Sequence, residues 1–360
     1  MPDRPRILKL STSLRIGGAE KLLTELVRGL RSDFDLQIGY FKEYGATGEE
    51  LTRMGFTPRR FSGLRQLTRH LKEWRPQLIH TYLYRDRIYG RLAGKLTGIP
   101  VICSNYARDD WRSLPLVWLD RITAPLTTRT ITNSRSTRDL LIRQEKLPAD
   151  RVTVIAPGLP ADFHPQRIPQ AQARARLMPG LSPGPVLGTV SRLHYDKGSD
   201  FWPEIAEGIL KAVPKAHFYL VGDGPLRDSI QKDIDRRGLG SRVHLLGWVD
   251  DIGEFLSALD VFALCSREES FSQALLEAAS AGLPFVAADV GGTFELLEMG
   301  AVGRLVPARN LPAMIDTCVG AIRELPGLGD RARAQSASIQ KQASMQRMID
   351  ETAQLYRKIL

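Results

Sequence analysis

Two carboxylates and two cations stand out by their type and spacing. Between Ser266 and Gly292 the sequence SREESFSQALLEAASAGLPFVAADVGG puts Glu269 and Glu277 eight residues apart. It reads as the end of a buried strand (VFALCS), a turn, a helix opening near Phe271, and a second buried strand (PFVAAD) closed by a Gly pair. Glu269 then sits in the turn at the helix mouth and Glu277 two turns inside, ~10 to 12 Å away at ~1.5 Å per helical residue. That is about the distance from the sugar to the ribose of a nucleotide sugar. The amides of Ser270, Phe271 and Ser272 would stand between them at the positive end of the helix dipole, where phosphate binds readily. A capping Glu269 and a solvated Glu277 are the other reading of the same residues, and the stretch alone supports both.

The cations come from SRLHYDKGSD, where Arg192 and Lys197 flank a turn and Gly198 opens the next helix. Two positive side chains beside a helix N-terminus suit a diphosphate and would offset the charge it gains as a leaving group. VGDGPLRDSI marks a strand-to-helix turn at Gly222, Gly224 and Pro225, and GWVDD offers Trp248 as a weak candidate stacking surface for a base. Near the N-terminus, RILKLST, then SLRIGGAEK, then an apolar-periodic helix through Leu22, Leu23, Leu26, Val27 and Leu30 form a strand, Gly pair and helix. Gly17 and Gly18 would let the backbone approach a phosphate closely. The full three-Gly dinucleotide fingerprint is absent, which argues against NAD or FAD.

The elements needed to position these groups alternate along the chain. Strands are expected at 6–12, 34–41, 78–80, 101–104, 130–133 and 152–155, then at 185–192, 216–222, 243–248, 261–266, 284–289 and 303–307, with helices between them. Such alternation predicts two doubly wound parallel sheets. Residues 157–185, rich in Pro, Gly and Ala, are the best linker candidate. Two Rossmann-like halves imply a cleft in which ligands gather at strand C-termini. In the helix after 78–80, Arg87, Arg91 and Lys95 recur every four residues and read chiefly as a solvated face, with an anionic acceptor or membrane as the other reading. In WRSLPLVWL (111–119) the expected fate of Trp118 is interior packing, with apolar contact at a membrane surface as the other reading of the segment.

At 360 residues, with 43% hydrophobic and 25% charged, the composition is that of a globular protein of two domains. No run of about 18 apolar residues occurs, which excludes a spanning helix. Charges in MPDRPRILKL argue against export. Cys103, Cys265 and Cys318 are widely spaced and odd in number, giving neither a metal cluster nor a disulfide framework and fitting a reducing cytoplasm. The net charge of +10 is uneven: residues 1–160 hold 28 Lys/Arg against 16 Asp/Glu, and residues 161–360 hold 22 against 24. A basic first half points to an anionic membrane surface or a phosphorylated glycan acceptor.

GGAE at 17–20, SRLHYDKG at 191–198, VGDGPLR at 221–227, and the run from DVFALCS at 260 through LPFVAADVGGTFELL at 283–297 together resemble the retaining GT-B glycosyltransferases of family four, the group 1 glycosyl transferases. The resemblance implies two Rossmann-like doubly wound parallel-sheet domains facing a central cleft. The acceptor domain would comprise 1–165 with the returning helix 342–360, and the nucleotide-sugar domain 166–341. It implies catalytic roles for Arg192 and Lys197 on the diphosphate and Glu269 on the sugar hydroxyls. Gly17, Gly18, Ser270, Phe271, Ser272 and Glu277 would bind the donor, with Glu277 on the ribose. Members of the family often carry two His separated by one residue after the third or fourth strand; here His80 is followed at the second place by Tyr82. Where some members present a His to the sugar, Asn105 or Tyr106 stands. These four are the acceptor-side candidates.

The expectation is a retaining hexosyltransferase, moving a hexose from a UDP- or GDP-sugar to a hydroxyl of a glycan or lipid-linked acceptor in cell-envelope polysaccharide or lipopolysaccharide synthesis. No metal or other cofactor is expected and no nucleic acid partner. The expected location is cytoplasmic or peripheral at the inner face of the membrane. A nucleotide-sugar epimerase of the same fold is one alternative, and a non-catalytic basic protein that binds nucleic acid or anionic membrane is another.

Overall fold

The computed structural model describes residues 4–15, 17–106, 113–159, 163 and 168–360. The chain divides into two compact units, Met1–Gly158 with Met345–Leu360, and Leu159–Ser344. The expected division lay at 165/166 and 341/342, a few residues away.

The first unit holds β1 (Arg6–Ser11), α1 (Gly18–Leu30), β2 (Asp35–Tyr40), α2 (Gly45–Arg53), β3 (Arg59–Arg60), α3 (Leu64–Trp74), β4 (Leu78–Thr81), α4 (Tyr84–Thr97), β5 (Val101–Asn105), α5 (Leu114–Thr123), β6 (Arg129–Thr132), α6 (Arg135–Glu145) and β7 (Val152–Val154). All of its pairings are parallel, in the order β3-β2-β1-β4-β5-β6-β7. Ile7 is flanked by Leu36 and Leu78, so β1 is an interior strand, third in the sheet and next to the central β4. β3, two exposed arginines, carries no apolar signal, which is why the sequence did not announce it.

The second unit holds α7 (Gln170–Leu177), β8 (Val186–Val190), α8 (Trp202–Ala212), β9 (His217–Val221), α9 (Arg227–Arg236), β10 (Val243–Gly247), α10 (Ile252–Ala258), β11 (Val261–Leu264), α11 (Gln273–Ser280), β12 (Phe285–Ala288), α12 (Thr293–Glu298), β13 (Gly303–Val306), α13 (Leu311–Arg323) and α14 (Leu325–Gln342). Its sheet is parallel in the order β10-β9-β8-β11-β12-β13. The linker candidate is not free chain throughout: α7 packs on α10, and Arg174 pairs with Asp260 at 2.7 Å.

The last helix, α15 (Met345–Ile359), belongs to the first unit. Met348, Ile349, Ala353 and Tyr356 enter that unit's apolar core, each large side chain contributing about 1.5–3 kcal/mol when fully buried. Gly29 on α1 makes the approach feasible, because a Cβ there would lie 2.3 Å from Ile349 Cδ1.

Two expectations are reversed in the first unit. Arg87 and Arg91 do not form a solvated face: both are buried, Arg87 pairing with Asp120 at 2.8 Å, while Arg91 bonds Asp120 and lies 3.5 Å from Glu145. Only Lys95 of that ladder is exposed. Trp118 is not interior but 59% exposed. The two reversals share a cause. Asp120, drawn inward by two guanidinium groups, fixes the rotation of α5 and turns the neighbouring apolar residues outward.

Candidate functional site

In an open α/β sheet the loops after two oppositely wound neighbouring strands diverge and leave a crevice. In the second unit those strands are β8 and β11. The loop after β8 carries Arg192, His194, Asp196 and Lys197; the loop after β11 carries Ser266, Arg267 and Glu269. They meet: Lys197 Nζ lies 2.9 Å from Glu269 Oε1, and Ser266 Oγ donates to the same oxygen at 2.8 Å. Glu269 is nearly sealed at 7% side-chain exposure and Lys197 is one-fifth exposed. The ammonium therefore borders solvent while the carboxylate lies behind it. Arg192, far more exposed, reaches Asp196 at 3.1 Å, and His194 Nδ1 contacts the other oxygen of Asp196 at 2.5 Å.

Backbone fixes the distance between the two loops. The amides of Arg267 and Glu268 both donate to the Asp196 carbonyl, at 2.8 and 3.1 Å. Gly198 turns the chain at φ +63°, and a Cβ there would meet the Cys265 carbonyl at 2.1 Å. A third loop, after β12, closes in the same way: Gly291 has φ +59°, a Cβ on it would lie 1.9 Å from the Glu269 carbonyl, and Gly292 N donates to Ser270 O at 3.1 Å. These two positions require glycine for both conformation and space.

Arg267 was not singled out by the sequence reading, yet it anchors the site. Its guanidinium donates to both oxygens of Asp200, at 2.5 and 2.6 Å, and to the Tyr195 carbonyl at 2.7 Å. It is sandwiched 3.8 Å from the centroids of both Tyr195 and Phe201. Burial alone would raise the Asp200 carboxyl, but the Arg267 hydrogen bonds outweigh it and hold the pKa below its ordinary value. The signal was available as SREES beside YDKGSDF, an Arg and an Asp near two aromatics, but nothing in it shows that they converge. Cys265 next to it is no nucleophile, its thiol being pushed up to about 12 by burial.

The helix after Glu269 opens at Gln273, not near Phe271. Ser272 is its N-cap and accepts from Leu275 N at 3.3 Å, so Ser270 and Phe271 belong to the preceding loop, with Phe271 packed into the core. A Ser is a strong N-cap, and it sets the start two residues later than the apolar pattern does. Glu277 consequently lies one turn inside α11 rather than two, half-buried. Gly222 turns at φ +125° against the Ser191 carbonyl, tying the end of β9 to the Arg192 loop. Trp248 is 77% exposed.

The corresponding neighbours in the first unit are β1 and β4. Gly17 is the N-cap of α1 and Gly18 its first residue. Behind them Glu20 is buried, accepts from Ser13 Oγ at 3.3 Å, and has its pKa raised by burial. The acceptor-side candidates fare differently. His80 is fully buried, with Nε2 2.7 Å from Ser104 Oγ and Nδ1 on the hydroxyls of Tyr356 and, at 3.1 Å, Tyr82. Tyr82 accepts from the equally buried Lys9 at 2.7 Å. Both ring nitrogens of His80 are thus engaged inside the unit, and His80 and Tyr82 serve its interior rather than a substrate-facing surface. Asn105 is also buried, and Tyr106, half-buried, accepts from Ser104 Oγ at 2.9 Å. Among the described residues no cluster of three or more His, Cys, Asp or Glu has the arrangement to hold a metal.

Two family descriptions match successive parts of the chain, "Glycosyltransferase Family 4" over residues 16–163 and "Glycosyl transferases group 1" over residues 184–324. The chain belongs to glycosyltransferase family 4. Among relatives of this family-4 protein, an Escherichia coli UDP-Gal:alpha-D-GlcNAc-diphosphoundecaprenol alpha-1,3-galactosyltransferase is 28% identical over 69% of this chain and 67% of its own. The alpha-D-kanosaminyltransferase of Streptomyces kanamyceticus is 27% identical over 75% and 74%. Anabaena HepE, solved in complex with UDP, superposes with a TM-score of 0.85 at 22% identity, covering 98% of this chain and 100% of that one. With two parallel α/β units and such neighbours, the fold of this glycosyltransferase is GT-B.

Asp86 is a further residue that the family-4 motifs did not point to. It is fully buried at the start of α4 and accepts from Thr12 Oγ1 at 2.7 Å and from the amides of Tyr82 and Leu83 at 2.6 and 3.0 Å. Burial raises its pKa to about 6, against the pull of those donors. It joins the loop after β1 to the loop after β4, doing with hydrogen bonds what Arg267 does in the second unit.

Proposed function

We propose that this glycosyltransferase is a retaining hexosyltransferase that moves a hexose from a nucleoside-diphosphate sugar to a hydroxyl of a glycan or lipid-linked acceptor in cell-envelope polysaccharide or lipopolysaccharide synthesis. The observation that carries the reading is the Lys197–Glu269 pair at the β8/β11 crevice. A nearly buried carboxylate behind a solvent-bordering ammonium offers hydrogen-bond acceptors for sugar hydroxyls and a cation for phosphate within one contact. Arg192 adds a second cation from the same loop, and Glu277 supplies the ribose contact one turn inside α11.

In this reading the bond from the anomeric carbon to the diphosphate oxygen breaks as the acceptor oxygen attacks from the same face. The acceptor proton passes to the departing phosphate oxygen, and Lys197 and Arg192 stabilise the charge left on the diphosphate. The protein contributes position and electrostatics rather than a covalent intermediate. The name of the Escherichia coli relative, which states a UDP-sugar donor and a diphosphoundecaprenol acceptor, supports a donor and acceptor of these classes.

The test is a thermal-shift screen with UDP-, GDP- and ADP-sugars, followed by NMR of the anomeric proton in the product formed with the donor that binds. A raised melting temperature with one nucleotide class and an α-product from an α-donor is expected. No shift with any nucleotide sugar, or an inverted anomer, overturns the proposal.

A further inference from the structure

Eight large hydrophobic residues are exposed among the described residues, and four of them lie on the ten-residue helix α5: Leu114 at 77%, Trp118 at 59%, Leu119 at 41% and Ile122 at 69%. Leu114, Trp118 and Ile122 recur every four residues and therefore share one stripe. The helix is not held by that stripe. Its buried residues are Asp120 and Thr123, and Asp120 is bound by Arg87 and Arg91 of α4. An amphipathic helix ordinarily turns its apolar stripe to the core; this one is fastened by a buried ionic cluster with the stripe outward. A cluster of exposed apolar residues of this kind marks a contact surface.

Charge identifies what it contacts. Helices α4 and α6 pack against α5, and across the three the acidic residues Asp86, Asp120 and Glu145 are buried. Arg85, Lys95, Arg121, Arg135 and Arg143 are exposed and Arg138 is half-exposed, with Asp139 as the one outward acid among the described residues of these helices. Arg121 lies 5.5 Å from the Trp118 ring centroid, joining a cation to the apolar stripe. Trp with aliphatic neighbours and a basic surround suits the boundary between acyl chains and anionic headgroups. A ten-residue helix, about 15 Å long, is far too short to cross a bilayer and lies in its plane. No described helix is long and apolar enough to cross a membrane.

We infer that α5 is a membrane-docking helix, which inserts Leu114, Trp118 and Ile122 into the interface of an anionic bilayer while Arg121 and the basic residues of α4 and α6 meet the headgroups. Its test reads lipid binding, so it stands or falls separately from the transferase reading.

The full chain is sedimented with vesicles of mixed phosphatidylglycerol and phosphatidylcholine, and with phosphatidylcholine alone. Binding to the anionic vesicles is expected, with the double variant Trp118→Ser, Ile122→Ser partitioning about tenfold or more weakly and Arg121→Glu weakening binding most at low salt. Brominated lipid is expected to quench part of the tryptophan fluorescence, and that part disappears in Trp118→Phe, a change that leaves the fold intact. Failure of the native chain to bind anionic vesicles overturns the proposal, as does a double variant that binds like the native chain. Self-association lost in the double variant, without vesicle binding, assigns the face to a second copy and also overturns it.

Discussion

The two units wind their sheets in the same order about their first strands, β1 and β8, yet they use charge in opposite ways. In the second unit the ionic groups stand at the crevice between β8 and β11, with Lys197 bordering solvent and Arg192 exposed. In the first they are withdrawn: Lys9, Asp86, Arg87, Arg91 and Asp120 are all essentially inaccessible. Topology therefore provides the place for a site without deciding whether it is used for chemistry. A charge kept partly wet at a strand end is available to a ligand, whereas one sealed among hydroxyls and guanidinium groups is committed to holding elements together. The contrast predicts that removing these buried charges of the first unit costs stability, whereas removing the solvent-bordering charges of the β8/β11 crevice costs turnover.

The largest effect on stability is expected at Asp120. Asp120→Ala leaves two buried guanidinium groups without their shared carboxylate, and loss of one partner of a buried pair typically costs about 3–5 kcal/mol. Urea denaturation measures it. The melting-temperature response to a nucleotide sugar is expected to survive in the folded fraction. An Asp120→Ala protein of native stability that no longer responds to nucleotide would break the contrast.

Lys197→Ala is the opposite case. If Lys197 acts on the leaving diphosphate, kcat should fall about 10²- to 10³-fold, the loss seen when one oxyanion donor is removed. Stability should change by less, because water reaches Glu269 through the space vacated and Ser266 still donates to it. Steady-state kinetics beside a melting curve separate the two, and near-normal turnover removes Lys197 from the mechanism.

Gly198→Ala tests whether the backbone between those loops is as fixed as its contacts imply. The new Cβ would be forced on the Cys265 carbonyl in a left-handed conformation, which alone costs about 1–2 kcal/mol for a residue bearing Cβ. The expected result is a moderate loss of stability with a larger loss of nucleotide binding by calorimetry, since the loop bearing Lys197 must move. Equal losses at Gly198 and at Gly29, which is crowded by Ile349 in the first unit, would show that the position has no special link to the site.

The same contrast explains what the sequence could show. Parallel strands buried on both faces are continuous apolar runs, and FYLV in β9, VFAL in β11 and FVAA in β12 announce themselves as such, whereas the two arginines of β3 do not. The candidate ligand groups of the second unit lie in short loops whose Gly and charged residues are adjacent in sequence, so SRLHYDKG and SREES are legible as motifs. Interior charge is not. His80 meets Tyr356 from 276 residues away, and Arg87 meets Asp120 from 33. A ladder of Arg at four-residue spacing looks solvated until a buried acid on another helix is found for it. Trp118 lies outward against the expectation for the same reason, since the orientation of α5 is set by Asp120 and not by its apolar stripe.

The smallest expected effect is the pH dependence due to Lys9. Burial lowers its pKa from 10.5 to about 7, while Tyr82 and Tyr356 accept its hydrogen bonds. A folded-state pKa below the unfolded value means that the unfolded chain binds more protons between the two. The Lys9 contribution is then fully favourable above about 10.5 and is lost as pH falls through about 7, with a slope of at most about 1.4 kcal/mol per pH unit. Lys9→Met is expected to flatten the rise in stability between pH 7 and 9 while leaving the binding of a nucleotide sugar proposed for the second unit unchanged. Urea titrations of both proteins across that range measure the slope. An unchanged slope would mean that Lys9 keeps its proton in the folded chain, and that the interior of the first unit holds a true charge, as the crevice of the second does.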